Sequence, residues 1–258
     1  VVAVHGLGGD WEEAWTDDTT GKLWLRDFLP SQFPKTRVWS FGYNASVLSK
    51  SVEDIDDAAT SLVDALKGER QSTPSRTKPI IFVAHSLGGI IVKRVFCDAS
   101  FENANERSDH WKDIQDSTIA AIFFGVPHRG ADKAYWADFA TNVLSFTSLG
   151  LAGNRSFVEA LKRNSPEFSK ISNAFIQPAS KMKIIRTFYE TEKIGNNVIV
   201  DKDSASLRTN NELAVPIQGA DHRDICRFES DESQKYRVVR NALEMVITRA
   251  TEVDSASM

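Results

Sequence analysis

Lys78-Pro79-Ile80-Ile81-Phe82-Val83-Ala84-His85-Ser86-Leu87-Gly88-Gly89-Ile90-Ile91-Val92 joins two apolar segments through a short corner, Ala84 to Gly89. Ile80 to Val83 is apolar without a break, which is how a strand buried on both faces of a parallel sheet reads. The second segment has helical spacing and begins at once. Strand, one-residue turn and helix form a nucleophile elbow, in which a serine is held in a strained backbone conformation above the sheet edge. Such a turn leaves little room two residues to either side of the serine. Ala84 and Gly88 meet that demand, although Ala84 adds a methyl group where glycine is more usual. A glycine-containing loop that merely carries a serine would look the same in isolation, so the remaining motifs must decide.

Bulk properties narrow the classes. The 258 residues suffice for one large α/β domain with a full core. A hydrophobic fraction of 41% and a charged fraction of 26% are those of a soluble globule. The net charge of −4 gives no nucleic-acid footprint. Cys97 and Cys226 lie in apolar segments with no metal or disulfide spacing, which predicts a reducing compartment and buried structural thiols. No signal peptide or membrane-spanning run is visible. The chain opens on a strand without an initiator methionine, so it is expected to be cut from a longer protein, with one or two leading strands and a downstream part outside it.

Strand and helix patterns alternate along the chain. Val1 to Val4 reads as a buried strand entering His5-Gly6-Leu7-Gly8-Gly9, where glycines let the backbone turn and point N–H groups into a cavity. Asp10 to Thr20, with Trp11 and Trp15, reads as a flap or a packed loop. A short helix over Leu23 to Leu29 is expected to end at Pro30, followed by a strand over Arg37 to Tyr43 and a helix over Ser51 to Leu66. A polar loop is expected over Gly68 to Thr77. Ile119 to Gly125 is a second doubly buried strand, ending in Val126-Pro127-His128-Arg129-Gly130. Ala134 to Gly153 is rich in aromatic and aliphatic residues, Trp136 among them, and fits either a cap helix lining an acyl pocket or a helix on the sheet flank. A helix over Phe157 to Phe175, a strand over Lys183 to Tyr189, an extended Val198-Ile199-Val200 and a closing helix over Tyr236 to Thr248 complete the pattern. One domain over 1–258 is expected, with a doubly wound, mostly parallel sheet, helices on both faces and a small helical cap over 131–180.

A serine hydroxyl needs a base, and the base needs a partner that fixes its tautomer. In the α/β-hydrolase order the acid lies between serine and histidine, and of the five histidines only His222 leaves room for one. Ser86 and His222 are therefore the expected nucleophile and base. Glu190 stands at a strand end, where this fold carries its acid, with Asp201 and Asp203 as competitors. Asp221 is expected to shape its loop. The N–H groups of Leu7 and Leu87 are the candidate oxyanion donors. His5, Gly6, His85, His128 and Trp136 are expected around the substrate. No metal and no organic cofactor is called for.

The residues His5-Gly6-Leu7-Gly8-Gly9, Trp24 to Pro30, Phe41-Gly42-Tyr43, Ala84 to Gly89, Gly125 to Gly130 and Asp221 to Cys226 occur in this order over essentially the whole chain. Together they resemble the serine-esterase/lipase-like α/β-hydrolase domain at the N-terminus of many fungal NLR-like proteins of the NACHT or NB-ARC kind, the SesB type. The set is similar also to the serine-active-site protein of mitochondrial phosphatidylglycerol remodelling and, more distantly, to GPI inositol-deacylases. Phe188-Tyr189-Glu190 matches that family's strand-end Phe-x-Glu, which implies Glu190 as the acid. Ala84 and Val126 depart from the family's usual glycine and threonine, and neither is a triad position. The resemblance implies an esterase acting on small-molecule or lipid esters, a role in fungal self/non-self recognition or programmed cell death, and a downstream NACHT/NB-ARC-type domain; a cytoplasmic setting and contact with a membrane surface are expected as well. It leaves open an effector or signalling module with weak or assembly-dependent hydrolysis, and acyl transfer by the same residues.

Overall fold

The protein is described by a computed structural model over residues 1–44, 53–71, 78–97, 105–128, 133–145, 154–194 and 198–256. Six strands are present: β1 (Val2–Val4), β2 (Trp39–Phe41), β3 (Ile80–His85), β4 (Thr118–Phe124), β5 (Ile184–Glu190) and β6 (Glu212–Ile217). They form one sheet in the order β2-β1-β3-β4-β5-β6, and every neighbouring pair is parallel. β3 and β4 are the apolar runs that the sequence marks as doubly buried, and five of the six β3 side chains are buried. Pro216 sits in β6 at the sheet edge, where its missing N–H costs no ladder bond on the open side.

Alternation along each strand sends side chains to two cores. Val2, Val4, Phe82, Ala84, Ala121, Phe123 and Ile185 face one side. That side is covered by α3 (Glu53–Gln71), α4 (Gly88–Val95), α5 (Asn105–Ser117), α6 (Lys133–Ser145) and α7 (Asn154–Lys181). Ala3, Val83, Ala120, Ile122, Phe124 and Phe188 face the other side, covered by α1 (Trp24–Asp27), α2 (Leu29–Gln32) and α9 (Gln234–Ala256). A short α8 (Lys202–Ala205) follows β5. Arg94 and Asp56 clamp α4 to α3 through two bonds of 2.5 and 3.0 Å.

Several boundaries differ from the sequence reading for identifiable reasons. Pro30 does not end a helix; it lies in the first turn of α2, where its fixed φ and missing N–H are tolerated. α3 runs on to Gln71 through the stretch expected as loop, and residues 72–77 lie outside the described set. α7 continues through Pro166 and Pro178 to Lys181. Interior prolines normally break a helix, but Phe168, Ile171, Phe175 and Ala179 bury one face of α7 in the core. This half of the 131–180 segment therefore packs on the sheet flank. Val198 to Val200 forms no strand. Residues 129–132 and 146–153, including Arg129 and Gly130, lie outside the described residues.

Candidate active site

Because all six strands run the same way, the loops after β1, β3, β4, β5 and β6 emerge at one edge of the sheet. In open α/β sheets that edge is where ligands bind. Ser86 follows β3 directly and has φ 52°, the left-handed region that a non-glycine residue adopts only under constraint. Its N–H donates to Phe124 O at 3.0 Å, pinning the turn to β4. A β-carbon on Gly88 would lie 2.2 Å from His5 O and 2.5 Å from Val4 O, so the start of α4 presses on the backbone leaving β1. A β-carbon on Gly6 would meet Ser86 Cβ at 2.8 Å, which places the His5–Gly9 loop against the serine. The methyl of Ala84 is fully buried in the core, and Val126 fills the space that Gly89 leaves open.

Three side chains, from the turn after β3, the end of β5 and the loop after β6, form one hydrogen-bonded chain. Ser86 Oγ lies 3.0 Å from His222 Nε2, and His222 Nδ1 lies 2.9 Å from Glu190 Oε2. Ser86, Glu190 and His222 are 1%, 2% and 1% exposed, so the chain is shielded from competing water. The carboxylate can only accept from Nδ1, which assigns the proton to that atom and leaves Nε2 to accept from the serine hydroxyl. Glu190 Oε1 accepts from the main-chain N–H groups of Ile199 and Val200 at 2.7 and 2.6 Å. Asp201 instead caps α8 by accepting from Ser204 N, and Asp203 pairs with Arg208 at 3.1 Å on the surface.

Gly125 closes the arrangement. It has φ 51°, and a β-carbon there would stand 2.9 Å from His222 Nδ1 and 3.2 Å from Glu190 Oε2. The His222 loop is fastened from several sides. Asp221 Oδ1 accepts from Arg223 N and Asp224 N, as expected of a loop-shaping residue. Asp18 pairs with Arg223 and Arg227 at 2.6 Å, and Trp24 Nε1 donates to Cys226 O.

The residues expected around the substrate take distinct places. His5 is buried; its Nδ1 donates to Gly6 O at 2.9 Å, and its ring stacks on Tyr43 at 4.2 Å. Tyr43 Oη donates to His5 O at 2.6 Å, so Tyr43 braces the loop that carries Leu7. Burial lowers the His5 pKa from its ordinary value. His85 Nε2 lies 2.8 Å from His222 O. His128 is buried with its ring edge-on to Phe123, and among the described residues neither ring nitrogen has a hydrogen-bond partner. Burial and the nearby Lys93 hold it well below the ordinary histidine range. Lys93 is itself buried, donating to Pro127 O and Ser172 Oγ at 2.8 and 3.1 Å. Trp136 is buried against Phe168 and Phe139, and it is Phe139 that brings α6 to the site, with its ring 5.9 Å from that of His222.

Gly125, Tyr43 and Phe139 were not singled out by residue type. Gly125 and Tyr43 stand at strand ends inside the quoted motifs, and Phe139 lies in the aromatic segment, so position was the available signal. Among the described residues no group of three or more His, Cys, Asp or Glu side chains could hold a metal ion. No described helix is long and apolar enough to cross a membrane.

A six-stranded parallel sheet, a serine in the left-handed turn after a central strand, a glutamate at the end of a later strand and a histidine on the loop after the last one define an α/β-hydrolase fold. Residues 1–203 match the family model described as "Putative serine esterase (DUF676)", and the chain belongs to that family. Protein SERAC1 of Bos taurus is 24% identical over 273 residues, covering 94% of this chain and 39% of that protein. Protein SERAC1 of Danio rerio is 25% identical over 264 residues, covering 92% and 37%. The chain thus spans about two-fifths of the length of these relatives. The fold is shared with the lipase BlEst2 of Bacillus licheniformis at TM-score 0.53 and 17% identity, over 87% of this chain and 85% of that one. Tomato methylketone synthase I, complexed with 2-tridecanone, aligns at TM-score 0.55 and 13% identity over 94% and 97%.

Proposed function

We propose that this domain hydrolyses carboxylic esters, with lipid esters as the substrate class, through an acyl-enzyme formed on Ser86. The observation that carries the reading is the hydrogen-bonded chain Ser86–His222–Glu190, with Ser86 in the strained turn. Ser86 Oγ attacks the acyl carbon as its proton passes to His222 Nε2. Glu190 stays ionised, holding the tautomer and stabilising the imidazolium. The N–H groups of Leu7 and Leu87 receive the oxyanion. Collapse of the tetrahedral intermediate expels the alcohol, which takes the proton from His222 Nε2. Water then enters, gives its proton to the same nitrogen, and releases the acid while Ser86 is restored.

A serine-reactive fluorophosphonate probe tests the reading directly. It labels the parent at Ser86, and labelling and hydrolysis of short p-nitrophenyl esters are both lost in Ser86→Ala. Ester hydrolysis by Ser86→Ala at the parental rate would overturn it.

The resemblance of the motif set to lipase-like domains and the aromatic segment over α6 support lipid rather than small polar esters. Trp11, half exposed on the loop after Gly9, is suited to a membrane surface. A cytoplasmic setting and a downstream NACHT/NB-ARC-type domain are supported by the motif set alone. An effector role predicts that cell killing by a full-length protein survives Ser86→Ala. Transfer to an alcohol other than water would use the same residues.

A further inference from the structure

His85 stands where three loops meet. It precedes Ser86 in the turn, and its Nε2 lies 2.8 Å from the main-chain oxygen of His222. A β-carbon on Gly6 would come within 3.0 Å of its Nδ1, so the loop that carries Leu7 passes against the same ring. The His85 and His222 rings are 5.1 Å apart between centroids and tilted by 42°. A carbonyl oxygen carries no proton, so Nε2 must be the donor and the neutral ring has a bare Nδ1. The bond joins residues 137 apart in sequence, one of them next to the serine and the other the histidine that accepts its proton.

We propose that His85 is a positioning residue: its Nε2–H holds the His222 main chain and thereby sets the Ser86–His222 distance. The proposal rests on Ser86 being the nucleophile. A ring whose donor is committed to the backbone is not available to bind substrate through that atom, so its loss falls on kcat rather than on KM. The groups whose charges reach His85 are His222, His5 and Arg227, all cationic or able to become so. Together with burial they hold its pKa well below the ordinary histidine value. The neutral donor tautomer therefore persists where the enzyme works. A His85 cation would also oppose formation of the imidazolium on His222.

The experiment compares the parent with His85→Gln, which keeps an N–H at a similar reach, and with His85→Phe and His85→Met, which keep bulk without a donor. Steady-state hydrolysis of a short p-nitrophenyl ester, fluorophosphonate labelling of Ser86 and the thermal midpoint are measured on each. His85→Gln is expected to retain kcat within about threefold, while the donor-less variants lose on the order of tenfold or more in kcat and labelling rate with KM unchanged. Donor-less variants that label at the parental rate, or that change KM alone, would overturn the proposal. An unlabelled parent would instead sink the nucleophile reading. If neither donor-less variant folds, the imidazole 15N spectrum of the parent decides. An Nε2–H tautomer that persists between about pH 5 and 8 supports the proposal. An Nδ1–H tautomer, or a ring titrating at its ordinary value, overturns it.

Discussion

Gly125 makes room for His222. The residue at position 125 has φ 51°, and a β-carbon added there would press on His222 Nδ1 at 2.9 Å and on Glu190 Oε2 at 3.2 Å. In the proposed mechanism these atoms share the acid–base proton, so crowding there would disturb chemistry before it disturbs the core. Gly125→Ala is expected to cost about 1–2 kcal/mol from backbone strain and on the order of a hundredfold in kcat. Urea unfolding and ester turnover, measured together, check it. A variant with normal turnover would mean that the His222–Glu190 pair tolerates a shift.

Glu190→Gln removes the negative charge while keeping the Oε1 acceptor for Ile199 and Val200 N–H. The expected loss in kcat is on the order of a thousandfold or more, by analogy with the acid of other serine triads. Asp201→Asn keeps a helix cap and Asp203→Asn only weakens a surface pair. Both are expected to stay within a few-fold of the parent. The three variants assayed side by side discriminate the carboxylates.

His5, His85 and His128 have pKa values lowered in the folded chain, first by burial. The unfolded chain binds protons at the ordinary value of 6.5, so below it the unfolded state gains protons that the folded state refuses. Stability is therefore present above that pH and is lost as the pH falls toward the lowered folded values. His128→Phe removes one such group, which has no described hydrogen-bond partner to lose. It is expected to raise the urea midpoint more at about pH 5 than at about pH 8. Equal shifts at both pH values would contradict the linkage.

Ala84 occupies the place where glycine is more usual, and its methyl group is buried in the core. Ala84→Gly is expected to lower stability by about 0.5–1 kcal/mol through strand entropy and lost packing, with turnover kept. Parallel denaturation and activity assays read the two effects separately.

The parts legible in the sequence are those written in side-chain type. β3 and β4 announced themselves as apolar runs, and the order Ser86, Glu190, His222 followed the chain order of the fold. What escaped was written in backbone conformation or in distant packing. The left-handed φ of Gly125 leaves no mark beyond a glycine. α7 survives its prolines because Phe168 and Phe175 find a core that no local window contains. Tyr43 and Phe139 reach the site across the sheet edge, and their partners are far away in sequence. Glu190 was favoured over Asp201 and Asp203 by its place at a strand end and by the family motif, while its reach to His222 Nδ1 is a matter of geometry that composition does not encode.

The grip on Glu190 has an evolutionary consequence. Its outer oxygen is held by the amides of Ile199 and Val200, which every residue except proline supplies. The contact itself therefore places no demand on the side chains at 199 and 200, and it is their burial in the core that asks for apolar residues there. A proline at 199 or 200 is the substitution that the contact excludes. Its absence across divergent members would be the trace this contact leaves in their sequences.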